Sequence, residues 1–167
     1  MKANENQMAS IILETPIGPL GIEATARGVH RIDFDPNGTM KANLCPDPAA
    51  QKHLDRAVRQ LREYFAGKRD RFDLTLDMEG TAHQQRVWKA LLEIPFGGTL
   101  TYGQVAARLG KPNAARAVGR ACATNPVPVV VPCHRVMGGD GALHGFGGGL
   151  WRKKALLELE QGNRQIF

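Results

Sequence analysis

The chain has 167 residues, 43% of them hydrophobic, enough for one ordinary domain or for a small domain with a half-size companion. Its 22 Lys and Arg against 16 Asp and Glu leave a net charge of +6, the electrostatic footprint of a nucleic-acid binder and equally of a merely basic soluble protein. No apolar run approaches a membrane span, and Met1–Ser10 lacks the apolar core of a signal peptide. Three cysteines without CxxC spacing (Cys45, Cys122 and Cys133) argue against a disulfide framework or a cysteine-rich zinc site, so a cytoplasmic location that keeps thiols reduced is expected.

Short runs at Ser10–Thr15, Leu20–Thr25 and Val29–Phe34, broken by Pro16, Gly18, Pro19 and Gly28, predict an antiparallel meander. Asp47 before Pro48 is a helix start, an Asx cap followed by proline at the first helical position. Ala50, Leu54, Ala57, Val58, Leu61 and Phe65 then recur at helical spacing until Gly67. Phe72–Leu76 adds an extended piece. Residues 1–78 thus read as a small α/β domain, and residues 79–167 as a second domain of different character.

In that second part, Thr81 with Gln84 forms a capping-box pattern ahead of Val87, Trp88, Leu91 and Leu92, and Pro95 with Gly97 and Gly98 closes the helix. Thr101 with Gln104 repeats the pattern for Tyr102–Leu109. Gly110 stops that run, and Asn113 is expected to cap a further helix, Ala114–Thr124. Two short helices so joined predict a helix-turn-helix. In the second of them Ala114, Ala117 and Ala121 share one side, with Ala115 and Gly119 alongside. A small-residue face lets the backbone approach either a neighbouring helix or a DNA minor groove, which is about 6 Å wide. Arg116 and Arg120, one turn apart on an adjacent face, suit phosphates or insertion into a duplex, and equally a solvated helix surface. After Asn125 and Pro126, Val127–Pro132 predicts a buried extended segment, Gly138–Gly149 a glycine-rich loop, and Trp151–Gln161 a last helix.

Pro132-Cys133-His134-Arg135-Val136 carries the strongest chemical signal. A thiol must become thiolate to be a good nucleophile, and His134 is placed in sequence to take the proton. Neighbours on an extended chain point to opposite sides, so either the backbone turns sharply here or a water relays the proton. Glu160, on the side of the last helix expected to face the core, would hold the histidine in the right tautomer. An inert buried cysteine, a surface histidine and a Glu160 paired with a lysine remain open on these residues alone. His30, His53 and His83 lack a companion cluster for a metal.

These segments occur in one order: the Ala-Ala-Arg-Ala-Val-Gly helix, Asn125-Pro126-Val127-Pro128, Pro-Cys-His-Arg-Val and a Gly-Gly-Gly-Leu loop. So arranged, the chain resembles the O6-alkylguanine-DNA alkyltransferases, or methylated-DNA–protein-cysteine methyltransferases, closely from Thr81 to Glu160 and by α/β pattern alone before that. The resemblance implies an α+β protein with an N-terminal ribonuclease-H-like α/β domain and a C-terminal helical, winged-helix-like domain. It implies DNA repair by direct reversal: a base is flipped from duplex DNA, and its alkyl group passes irreversibly from O6-alkylguanine, with O4-alkylthymine a further candidate, to Cys133. His134 matches the base acting through water and Glu160 its partner. Tyr102 matches the tyrosine that helps rotate the nucleotide, and Asn125 the hinge asparagine. Arg116 matches the arginine that fills the vacated stack, on a helix whose small residues Ala114, Ala115, Ala117 and Gly119 enter the minor groove. Pro128 matches a wall of the guanine pocket, and the carbonyls of Cys133 and Val136 acceptors for its amino group. Phe146-Gly147 departs from the family's usual tyrosine and serine: Phe146 still packs on a base, and Gly147 keeps the backbone N–H that can reach the guanine oxygen. A thioether offers water no easy route back to a thiol, so single use is implied, by a monomer acting on double-stranded DNA, with no dissociable cofactor, metal or membrane.

Two other readings belong to different classes. A DNA-binding regulator whose Cys133 senses alkylation or oxidation would bind a specific operator sequence, and a Cys-His hydrolase would need an oxyanion site and would turn over esters.

Overall fold

The computed structural model describes residues 7–34, 40, 46–141 and 145–162; Cys45 lies outside the described residues. The chain folds as two compact units, Met1–Met78 and Glu79–Phe167. No described helix is long and apolar enough to cross a membrane.

In the first unit, strands β1 (Ala9–Leu13), β2 (Leu20–Thr25) and β3 (Gly28–Asp33) form an antiparallel sheet in that order, with Ile11 opposite Ile22 and Leu13 opposite Leu20. β1 stops two residues short of the expected Thr15 because that side chain closes a turn: its hydroxyl donates to the Gly18 carbonyl at 2.6 Å and accepts from the Ile17 N–H at 3.2 Å. Helix α1 (Pro48–Phe65) starts where the Asx-Pro signal put it, with Asp47 Oδ1 accepting from the Ala49 and Ala50 amides at 2.8 and 3.4 Å. Its apolar stripe, Ala50, Leu54, Ala57 and Leu61, is buried, as are Leu20, Ile22 and Ala24 of β2.

The piece expected to be extended at Phe72–Leu76 is not a full strand. Only Leu76 pairs, as a parallel bridge to Val29, whose amide donates to Thr75 O at 2.9 Å and whose carbonyl accepts from Asp77 N at 2.8 Å. Buried Gln60 holds this segment to α1 through both ends of its amide, giving to Asp73 O and taking from Asp73 N. Gly28 makes the close approach feasible: it sits at φ +151°, and a Cβ there would stand 2.5 Å from Thr75 O. Gly28→Ala is expected to cost this unit about 1–3 kcal/mol, read as a lowered midpoint in calorimetric melting. An unchanged midpoint would mean that the bridge contributes nothing.

The second unit opens with α2 (Ala82–Leu91) and α3 (Tyr102–Arg108), each with a complete capping box, Thr81 with Gln84 and Thr101 with Gln104. α4 (Ala115–Ala123) differs from the expectation at its start. Asn113 does not cap it; Ala114 is the N-cap, without a side-chain bond, and its amide is taken by Lys111 O at 2.9 Å. Buried Trp88 ties α2 to α4 by donating Nε1–H to Ala121 O at 2.8 Å. Between α2 and α3 runs β4 (Leu100–Thr101), which pairs in parallel with β5 (Val136–Met137). α5 (Leu150–Glu160) completes the unit.

The segment after α4 is buried as expected but is not extended. Val131 N bonds back to Val127 O at 2.9 Å, and Val129 adopts φ +73°, unique among the described non-glycine residues. Prolines 126, 128 and 132 lack amide hydrogens, so this stretch cannot build a ladder. Asn125 supplies the missing bonds, its Nδ2 donating to Val131 O at 2.8 Å and its Oδ1 accepting from Val127 N at 3.0 Å.

Candidate active site of the helical unit

The proline-limited turn delivers the chain into a single 3₁₀ turn, Cys133–Arg135, with Cys133 N bonded to Val131 O at 2.8 Å. The backbone does turn sharply at this point. Consecutive side chains of a 3₁₀ turn fan out around its axis, so Cys133, His134 and Arg135 are all buried but meet different neighbours.

His134 Nε2 lies 2.8 Å from Glu160 Oε2. Arg135 clasps the same carboxylate from the other side, Nε to Oε1 at 2.7 Å and Nη2 to Oε2 at 3.0 Å, and spends Nη1 on Ile94 O at 2.6 Å. Arg135 is a partner the sequence reading missed, although it sits inside the motif singled out there. Burial alone would raise the Glu160 pKa, but the bonds from His134 and Arg135 hold it at about 2. Burial pushes His134 down and outweighs the upward pull of Glu160, so the ring is neutral. A carboxylate only accepts, so the one ring proton must be on Nε2 and the lone pair on Nδ1. Nδ1 is buried with no hydrogen-bond partner among the described residues.

Cys133 lies at the floor of a cavity of about 1020 Å³. Burial pushes its thiol up, while hydrogen bonding to the Asn125 side chain and the charge of Lys153 pull it down. Lys153 is the second residue missed by sequence reasoning. Two turns before Glu160 on α5, it is fully buried, its Nζ donating to Val136 O at 2.6 Å and lying 5.8 Å from the centre of the Tyr102 ring. A lysine on the apolar side of a helix was its only signal. Tyr102, at the start of α3, lines the cavity, and burial, then the neighbouring thiols Cys122 and Cys133, push its phenol up to about 12, so the O–H keeps its proton.

The remaining expected residues divide. Ala115, Arg116, Gly119, Phe146 and Gly147 line the cavity with Cys133 and Tyr102. A Cβ at Gly119 would meet Tyr102 at an ordinary 3.9 Å, so its smallness leaves open space rather than relieving a clash. Ala114 borders a separate small hollow with His83 and Val118, and Ala117 turns its carbonyl to His83 Nε2 at 3.3 Å, so these two face the α2 side of the helix. Pro128 and Val136 are buried in the supporting turn and strand rather than in the cavity lining; the Val136 carbonyl already takes one bond from Lys153 and keeps a second lone pair.

Fold and site together define a class: a helix-turn-helix unit with a thiol lining a cavity that its second helix also lines, followed in the chain by a buried histidine bonded to a buried carboxylate. Comparison with known proteins places it within that class. Residues 82–162 match the family model for the 6-O-methylguanine DNA methyltransferase DNA-binding domain, and residues 8–78 that for its ribonuclease-like domain. A methylated-DNA–protein-cysteine methyltransferase of Mycobacterium bovis is 49% identical over 154 residues, covering 89% of this chain and 90% of the relative. One of Methanosarcina barkeri is 46% identical over 153 residues, covering 91% and 96%. The crystal structure of Mycobacterium tuberculosis OGT in complex with DNA superposes with a TM-score of 0.80 at 46% identity, over 93% of each chain. The chain belongs to the 6-O-methylguanine DNA methyltransferase family, with that family's ribonuclease-like and DNA-binding domains.

Proposed function

We propose that this protein repairs duplex DNA by moving the alkyl group of O6-alkylguanine onto Cys133, once per molecule. The observation that carries this is the unpartnered Nδ1 of a neutral His134, fixed by Glu160, on the residue next to a cavity-floor thiol. The thiol proton passes through a bridging water to Nδ1, and the thiolate attacks the alkyl carbon as the carbon–oxygen bond breaks. The leaving guanine oxygen is stabilised by the Tyr102 O–H and the Gly147 amide. A base inside the stack cannot reach the thiol, so it must be extruded; α4 enters the minor groove, and Arg116, exposed at the cavity rim, fills the gap. Asn125 holds the turn that sets the thiol's height, while Ala114 and Ala117 let α4 sit close to α2. The protein acts in the cytoplasm as a monomer, and O4-alkylthymine fits the same chemistry.

Incubation with duplex carrying radiolabelled O6-methylguanine tests this. Label is expected on Cys133 at no more than one group per chain, from any sequence context. Repeated turnover would overturn the mechanism, and binding to one operator without transfer would favour the regulator.

Lys153 acts on this step by favouring the thiolate. Lys153→Met is expected to slow transfer about 10- to 100-fold at neutral pH, because losing a nearby cation raises a thiol pKa by one to two units. Removing the positive charge moves the ionisation to higher pH, so the deficit should shrink as pH rises. A deficit equal at every pH would show that Lys153 only supports the fold.

A further inference from the structure

Cys122 has no part in the reaction above, yet it lies on the wall of the same cavity whose floor holds Cys133. Both are free thiols. Tyr102 lines that cavity too, and Tyr102 and Lys153 each feel the charge of both sulfurs. An alkyl group taken up by Cys133 enters a cavity that the second thiol also lines. We propose that Cys122 is a second acceptor for bifunctional lesions: once a 2-haloethyl group has passed from guanine to Cys133, Cys122 displaces the halide and closes an S–CH₂–CH₂–S bridge within the protein. The inference rests on the reading of Cys133 as the alkyl acceptor.

The chemistry balances without an oxidant. The Cys133 sulfur, now a thioether, uses a lone pair to expel halide and forms a three-membered sulfonium ring. The Cys122 sulfur attacks one ring carbon, the carbon–sulfonium bond returns its electron pair to Cys133, and the Cys122 proton goes to water; hydrogen halide is lost overall. Burial, then the neighbouring Cys133, pushes the Cys122 thiol up to about 12, so it does not compete for the first transfer. A sulfonium ring is electrophilic enough to react with a neutral thiol held beside it. Water and DNA nitrogens are the competitors, and well-oriented groups within one molecule gain effective molarities of about 10⁵–10⁸ M over free ones. Capture by Cys122 diverts the group from a protein–DNA cross-link.

The test uses the full chain with duplex carrying O6-(2-fluoroethyl)guanine, followed by mass spectrometry. No lysine or arginine lies between the two cysteines, so both fall in one tryptic peptide, residues 121–135. The expected product is that peptide with a two-carbon bridge in place of both thiol hydrogens, and neither thiol open to titration. Fluoroethyl or hydroxyethyl on Cys133 with Cys122 still titratable, or protein joined to DNA, overturns the proposal. A parallel O6-methylguanine duplex separates the two ideas: methyl transfer without a bridge sinks this inference alone, and no methyl transfer sinks the repair reading as well. Cys122→Ser, close in shape but weakly nucleophilic, is expected to lose the bridge entirely and to yield hydroxyethyl-Cys133 or DNA-bound protein. A bridge-sized mass gain that survives in it also overturns the proposal.

Discussion

Cys133→Ala is expected to remain folded and to accept no alkyl group at all. The substitution removes one sulfur from a buried site, a loss of about 1 kcal/mol by the area it hides. The chemical loss is total because nothing else in the cavity can stand in: Cys122 and Tyr102 are both pushed up to about 12 and stay protonated at neutral pH. Cys133→Ser should fail equally, since an alcohol gives up its proton far less readily than a thiol and its oxygen is a poorer nucleophile toward saturated carbon. Burial also pushes the Cys133 thiol up, so single-turnover transfer by the natural protein should rise with pH from neutral into the alkaline range. Label on the Cys133→Ala chain, or a rate flat with pH across that range, would contradict the assignment.

What could be read from the sequence follows the range of the interaction involved. The Asp47-Pro48 start and both capping boxes were legible because a cap is a contract between residues three apart. Asn113 looked like another such signal, yet the chain before α4 turns through the Ala114 to Lys111 backbone bond instead, and the asparagine stays exposed. The end of β1 went to Thr15's turn rather than to strand propensity. Residues 127–132 read as extended because valines favour strands. The three prolines and the Asn125 clamp, which operates across the turn, decided otherwise.

The site shows the same divide. Cys133, His134 and Glu160 were legible from a motif and a helical face, and the histidine–carboxylate bond at 2.8 Å joins residues 26 apart. Arg135 and Lys153 were not, because their importance comes from burial. A basic side chain in a sequence is most often solvated, and only packing reveals that Arg135 is taken up by Glu160 and Ile94 and that Lys153 reaches the Val136 carbonyl. On the small-residue helix, Ala114, Ala117 and Ala121 were read as one side, with Ala115 and Gly119 alongside. In the folded unit its residues separate into a side facing α2, with Ala117 and Ala121, and a side facing the cavity, with Ala115 and Gly119.

Glu160→Ala should damage stability and chemistry together. The carboxylate is about 1% exposed and takes hydrogen bonds from His134 and from Arg135. Removing it leaves a guanidinium buried without its counter-charge, a change that costs about 3–5 kcal/mol. The ring of His134 also loses the acceptor that keeps its proton on Nε2, so Nδ1 becomes protonated part of the time and the base is lost; transfer should fall at least 100-fold even where the variant is folded. Glu160→Gln separates the two effects, because an amide can still accept from His134 but cannot neutralise Arg135: it should recover more of the rate than of the stability. The pH dependence has a definite sign. Glu160 is held at about 2, below its ordinary 4.5, so its contribution is complete above the unfolded value and disappears as pH falls from about 4.5 toward 2. Denaturant midpoints of the natural protein should therefore drop through that window, and those of Glu160→Ala should drop less. Equal acid sensitivity in the two proteins would show that this carboxylate is not what holds the site together.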